Sequence, residues 1–276
     1  MRCAVRQQTD IDSVKWNEFV LANSMGWAHF LYEVIAIDRY ASYLNLSFAI
    51  VDQDNNDDIL FIMQLHRTSK YGFLTKTGLP FFREKLKSRW GYVIKDGLVK
   101  KHRRMVKECF EEYIDHYLAG NPIKLFSAEL APVTQDRLNH RDGINPLVFF
   151  NFRPRIRYTW VVDLSKPDDR MLADCEETAQ VIATVAVLIY RNTAYYWWGD
   201  SRNEKETGVN KYLLFKVICL IRESFGKTGY FETVGAYPYL RRGKYKGLND
   251  FKKCFGTFLM PIYCGDYVKI KPAKKQ

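Results

Sequence analysis

Two hydrophobic periods alternate along this chain, and each change of period marks an element. From Ile11 to Leu21 the apolar positions recur at helical spacing, with Asp10 or Asp12 placed to cap the first turn. Leu46–Val51 and Ile59–Leu65 are apolar runs of strand length. The turn-rich segment DQDNNDD lies between them, so the pair predicts a β-hairpin. Between Leu98 and Leu118 the spacing returns to that of a helix. Met105, Val106, Cys109, Phe110, Tyr113, Ile114 and Tyr117 share one face, and Lys100, Lys101, Arg103, Arg104, Lys107, Glu108, Glu111 and Glu112 occupy the other. Gly120, Asn121 and Pro122 stop that helix, and Ile123–Ala128 reads as a strand.

The second half repeats this alternation after a break. Residues 129–157 form a polar connector interrupted by Pro132, Pro146 and Pro154, and a new strand starts at Tyr158. A boundary near Arg155 gives two expected domains, 1–154 and 155–276. Asp168 and Asp169 favour a short helix start. Val181–Tyr190 and Thr193–Trp198 predict two strands joined by a hairpin at Arg191–Asn192. Tyr195, Tyr196, Trp197 and Trp198 alternate across the second of these, so half of them belong to a core. A helix is expected over Thr207–Phe225, ended by Gly226 and Gly229, with strands at Tyr230–Val234 and Thr257–Tyr263. Strands mixed with helices in both halves imply an α/β fold with α+β mixing.

Composition narrows the class. With 47% hydrophobic and 15% aromatic residues over 276 positions, each half has material for a packed core. No apolar run reaches the roughly 18 residues of a transmembrane helix. The opening MRCAVRQQTDIDSVKW lacks the apolar core of a signal peptide, so a cytoplasmic protein is expected. The six cysteines form no CxxC pair and the five histidines are scattered, so no metal, disulfide framework or cofactor is expected. Of the net charge of +11, residues 201–276 hold nearly all, with 16 basic against 6 acidic side chains. The same residues contain 13 Phe or Tyr. Basic residues interleaved with aromatics suit a phosphate-rich partner, and a solvated basic face reads equally from the same pattern.

Ala194–Ile262 concentrates the candidate chemistry. A strand ends in a polar loop carrying Arg202, and Gly208 stands at the start of the next helix, where backbone N–H groups can face an anion. Ordinary capping of a strand-to-helix turn is the alternative. Further on, Lys252 and Lys253 stand between Phe251 and Phe255. They read either as reactive cations or as surface charges flanking buried rings. Arg241, Arg242, Lys244 and Lys246 add a basic stripe just before them. Asp200 and Asp250 are candidate bases only by proximity.

Four segments, in order, resemble the Fem-type (FemABX) aminoacyltransferases, a branch of the GNAT acyltransferases. They are WNEFVLANSMGWAHFLY (16–32), RIRYTWVVDLSKPDDRML (155–172), AYYWWGDSRNEKETGVNKYLLFKVI (194–218) and GLNDFKKCFG (247–256). The resemblance implies two GNAT-like domains and transfer of an aminoacyl group from aminoacyl-tRNA to an amine of a peptidoglycan precursor. Lys252 matches the lysine of the family's FK signature, which implies a catalytic role in stabilising the oxyanion. Arg202, Gly208, Lys253, Arg241, Arg242, Lys244 and Lys246 then become substrate-binding candidates. Two features depart from the family. Cys175 and Glu176 run almost directly into AQVIATVAVLIY, so a segment of several tens of residues is missing from the second domain, and the lysine expected near the N-terminal turn is not evident. An uncovered sheet face around Val185 and Val187, and with it a homodimer, is the further expectation. An N-acyltransferase using acyl-CoA or an acyl carrier is the alternative activity. A degenerate, non-catalytic binding paralogue is the alternative class.

Overall fold

Asp12 opens the first helix. Its carboxylate accepts hydrogen bonds from the backbone N–H of Val14 and Lys15 at 2.9 and 3.1 Å, a cap worth about 1 kcal/mol. Helix α1 (Ser13–Ala22) follows and buries Trp16, Phe19 and Val20. The Trp16 indole N–H donates to the Phe30 carbonyl at 2.6 Å, so the segment leading to α2 (Tyr32–Ile37) is tied back onto α1. This computed structural model describes residues 1–37, 43–68, 84–121, 123, 125–139, 143–164, 183–201, 209–226, 228–240, 242–255 and 257–268. By its contacts the chain divides into two compact units, Met1–Ile156 with Ile262–Gln276, and Arg157–Pro261.

The first unit contains strands β1 (Cys3–Gln7), β2 (Tyr43–Asn45), β3 (Phe48–Asp52), β4 (Asp58–Met63), β5 (His66–Thr68), β6 (Lys85–Ser88), β7 (Tyr92–Ile94) and β8 (Leu125–Glu129). Helices α3 (Lys100–Ala119) and α4 (Gln135–Asn139) belong to the same unit. Four strands pair antiparallel in the order β1-β3-β4-β7. The β3–β4 hairpin turns through Asn56 and Asp57, both at positive φ, which Asn and Asp tolerate better than bulkier residues. Helix α3 buries Val106, Phe110 and Ile114, the apolar stripe read from the sequence. Phe110 packs against Phe61, Phe150 and Phe152 at centroid distances of 5.8, 5.0 and 6.4 Å.

The chain leaves this unit along β9 (Phe152–Asp163) and returns along β13 (Phe258–Tyr267). Strand β9 starts earlier than the sequence implied and contains Pro154. Its residues 153–157 are exposed, so the missing amide N–H is tolerated there.

The second unit has β10 (Ala183–Tyr190), β11 (Thr193–Ser201), α5 (Val209–Ser224), β12 (Tyr230–Glu232) and α6 (Lys244–Lys253). Strands run in the order β10-β11-β12-β9. β10 and β11 are an antiparallel hairpin, whose turn places Arg191 at positive φ. β11 and β12 are parallel, and β12 and β9 antiparallel. Helix α5 covers one face, where Leu214, Phe215, Ile218 and Ile221 pack with Val162, Ala194, Phe231 and Phe255. Val187 and Tyr196, both half-buried, pack against this cluster, so the face expected to be bare around Val187 is partly covered. The apolar exposure lies elsewhere, at Ile189, Trp197 and Trp198. The β10–β11 register slips between Ala186 and Val187, so Trp197 is the extra residue of a β-bulge between Tyr196 and Trp198. That bulge breaks the simple alternation expected for Tyr195–Trp198, so Tyr195 is buried, Tyr196 half-buried and both tryptophans are exposed. The short helix expected at Asp168 and the shortened layer expected around 173–182 lie outside the described residues.

Candidate active site

Helix α6 was not expected from the sequence pattern. Lys252 and Lys253 end this helix, which starts after Gly243 at φ 83°. The buried side of α6 carries two polar residues one turn apart, Asn249 and Lys252. Asn249 Oδ1 accepts from the Trp160 indole at 2.5 Å and from the Tyr237 backbone N–H at 3.3 Å. This pins the helix to β9 and to the turn after β12. Lys252 is only 7% exposed, and its Nζ donates to the Gly235 carbonyl at 2.8 Å. Lys253, by contrast, is exposed and rests its ammonium 5.4 Å from the centre of the Trp160 ring. Neighbours on a helix lie about 100° apart, so the two lysines still meet different surroundings.

The turn that accepts the Lys252 bond is unusual. Val234 and Gly235 both have positive φ, 61° and 55°. A β-branched residue there is strained and persists only where its surroundings hold it. The Ala236 N–H donates to the Tyr158 carbonyl at 2.7 Å, and the Tyr237 and Tyr245 rings pack with centroids 4.6 Å apart and planes tilted by 42°. Both contacts brace the turn.

Glu232, the last residue of β12, completes the group. It is 1% exposed. Its Oε1 accepts from the Thr159 hydroxyl and, at 2.8 Å, from the Val234 backbone N–H. Burial pushes its carboxyl up to about 7, while the Thr159 and Val234 bonds and the Lys252 charge pull the other way. Burial pulls the Lys252 ammonium down to about 8, against the attraction of Glu232. Near neutral pH the two groups therefore titrate close to each other. A cation and a proton-accepting group of this kind, both shielded from water, can stabilise a developing negative charge and move a proton.

A cavity of about 350 Å³ lies in the same unit, between the β10–β11 hairpin, α5 and α6. Val185, Tyr196, Gly199, Leu214, Leu248 and Phe251 line it. A Cβ at Gly199 would overlap the Tyr196 hydroxyl, so a side chain there would displace the Tyr196 ring from its present position.

The remaining candidates are dispersed. Arg242 is exposed beside the α6 N-terminus. Lys244 is the first residue of α6. Lys246 is ion-paired with Asp250 on the solvent side of α6, which occupies both the binding candidate and one candidate base. Arg202, Gly208 and Arg241 lie outside the described residues. Asp200 lies in β11. Sequence reasoning missed Glu232, Thr159 and Asn249. Their local signals are those of strand and surface positions, and only pairings across 73 and 89 residues bring them together.

No protein-family model and no curated protein matches the chain. Solved structures do. FemX is similar over 97% of both chains, with 12% identity and a TM-score of 0.57. A tandem GNAT protein from the clavulanic acid biosynthesis pathway, solved without AcCoA, is similar over 98% of this chain and 99% of its own, with 8% identity and a TM-score of 0.53. L-PGS from Bacillus licheniformis is similar over 93% and 91%, with 10% identity and a TM-score of 0.50. The chain thus has a mixed α/β fold similar to those of FemX and the tandem GNAT protein over nearly its whole length.

Proposed function

We propose, on the premise of this FemX-like fold, that the chain is an acyltransferase. In the fuller reading it moves an aminoacyl group from aminoacyl-tRNA to an amine of a peptidoglycan precursor. Its two GNAT-like domains span 1–154 and 155–276, and it works in the cytoplasm without a cofactor. The observation that carries the reading is Lys252, a buried ammonium held by a strained turn in a fold otherwise similar to FemX.

The chemistry needs little beyond placement. A neutral amine attacks an activated ester directly once both are held in contact, with no covalent enzyme intermediate. The carbonyl oxygen becomes an oxyanion, and Lys252 supplies the fixed positive charge that favours it. Burial lowers the Lys252 proton affinity only to about 8, so it remains mostly charged at pH 7. Lys253 and the stripe of Arg241, Arg242, Lys244 and Lys246 serve the phosphates of the donor, together with Arg202 and Gly208. A homodimer through the exposed Ile189, Trp197 and Trp198 belongs to the same proposal.

The tandem GNAT structure solved without AcCoA favours a second donor, acyl-CoA, on the same fold. Single-turnover assays with charged tRNA and with acyl-CoA, each against a panel of amine acceptors, separate the two. Transfer from charged tRNA to a lysine-type amine supports the first reading. Transfer only from acyl-CoA supports the second. Binding without transfer from either donor leaves a non-catalytic binding protein.

A further inference from the structure

Glu232 has no task in the oxyanion chemistry, yet its surroundings are specific. Oε1 is engaged by Thr159 and by the Val234 N–H. Oε2 is buried and has no hydrogen-bond partner. The Lys252 ammonium has three N–H donors and uses one, on the Gly235 carbonyl. Glu232 and Lys252 interact electrostatically, but no hydrogen bond or ion pair joins them among the described residues. A buried acceptor without a donor is destabilising, so an arrangement that retains one calls for an explanation.

The sheet opens at this residue. β11 and β12 pair from Thr193 with Tyr230 to Tyr195 with Glu232 and no further, whereas β11 continues to Ser201. Glu232 therefore sits at the last paired position, two residues before Val234 of the strained Val234–Gly235 turn.

We infer that Glu232 is the general base of the transfer, with Oε2 receiving the proton of the acceptor amine while Lys252 holds the carbonyl oxygen. This rests on the acyl-transfer reading. As the amine nitrogen attacks the acyl carbon, the C–N bond forms and the carbonyl π pair moves onto oxygen beside Lys252. The nitrogen proton passes to Glu232 Oε2. On collapse the C=O bond re-forms, the bond from carbon to the leaving oxygen breaks, and that oxygen takes the proton back from Glu232. The products are the amide and the free alcohol, and Glu232 and Lys252 end as they began.

The electrostatics agree. The groups facing Glu232 are Thr159 from β9, Tyr195 at the paired position on β11, the Val234 N–H on its own turn and Lys252 from α6, of which Lys252 is the charged one. Burial raises the carboxyl to about 7, where a base both holds and releases protons efficiently.

Glu232→Gln in the full chain tests this with two acceptors. With a lysine-type amine, whose nitrogen stays strongly basic as the C–N bond forms, the single-turnover rate should fall ~100-fold or more, and the limb of the pH–rate profile near 7 should disappear. With hydroxylamine, whose nitrogen proton is far more acidic once the C–N bond has formed and is taken up by water, the loss should be below ~10-fold. Equal losses with both acceptors would overturn the assignment and leave Glu232 a positioning residue. A second readout needs no turnover. In protein carrying ¹³C-labelled glutamate, one carboxyl should titrate near pH 7, vanish in Glu232→Gln, and shift downward when Nα-acetyl-lysine amide is added, because a nearby cation favours the carboxylate. If the wild type transfers nothing, the acyl-transfer reading fails. An unmoved titration on adding the amine overturns the base assignment in either case.

Discussion

In the first unit Phe110 is fully buried among Phe61, Phe150 and Phe152. In the second unit Glu232 is buried to the same degree, among a threonine hydroxyl, a lysine and a backbone turn. The apolar cluster leaves no polar group without a partner and gains its stability from area removed from water. The polar cluster leaves an oxygen unbonded, two donors of an ammonium unused and a valine at positive φ. Each of those features weakens the fold. Equal burial thus serves opposite ends, since strain and unsatisfied groups persist where binding or chemistry uses them.

The largest expected effect separates the two clusters by stability. Phe110→Ala should lower the free energy of unfolding by about 3–5 kcal/mol, measured by urea denaturation. A loss under about 1 kcal/mol would mean that this cluster does not hold the first unit together. Next, Lys252→Ala should reduce turnover ~100-fold or more, about 3–4 kcal/mol of barrier, with the circular dichroism spectrum retained. If it instead weakens donor binding and leaves the rate at saturation unchanged, Lys252 is a phosphate contact.

A third test uses pH. The Glu232 carboxyl is raised from 4.5 to about 7 on folding, so the native state holds its proton longer than the unfolded chain. Its stabilising contribution is complete below about 4.5 and is lost as the pH climbs through about 7. Relative to Glu232→Gln, the wild type should lose roughly 3 kcal/mol across that window. Identical pH–stability curves would show that Glu232 ionises as freely as in water. Lys252 has the opposite sign, since its depressed value gives stability that rises between about 8 and 10.5.

Smaller effects belong to the surface. Replacing Arg241, Arg242, Lys244 and Lys246 together should weaken binding of charged tRNA about 10-fold and flatten its salt dependence, because fewer counterions are released. Lys246 contributes least of the four, being already paired with Asp250. Unchanged affinity would favour the solvated-face reading of this stripe. Lys253→Ala should change turnover by less than about 5-fold, since an exposed cation over a ring contributes about 0.5–1 kcal/mol.

Local signals carried much of the fold. Asp12 capping α1, the apolar stripe of α3, the Arg191–Asn192 turn and the α5 pattern all follow from short-range periodicity and turn chemistry. Helix α6 escaped because Gly247 sits in its middle and its buried side includes Asn249 and Lys252, which a hydrophobic pattern counts as polar surface. The Trp197 bulge was hidden because alternation alone does not report an extra residue. Lys252 was legible from a resemblance at FKKCFG. Glu232 was not, because in YFETV it occupies an ordinary alternating position, and its burial depends on residues supplied by β9 and α6.

If the polar cluster of the second unit serves chemistry at the expense of stability, removing its two ionisable groups separates the two properties. The double variant Glu232→Gln/Lys252→Met tests it most directly, with unfolding free energy at pH 8 and single-turnover rate measured on the same preparation. Replacing buried charges by neutral or apolar groups of similar size is often neutral or stabilising, by up to about 4 kcal/mol. The expected outcome is a protein at least as stable as the wild type with no detectable transfer. A variant that unfolds more easily yet still transfers the acyl group at the wild-type rate would contradict it.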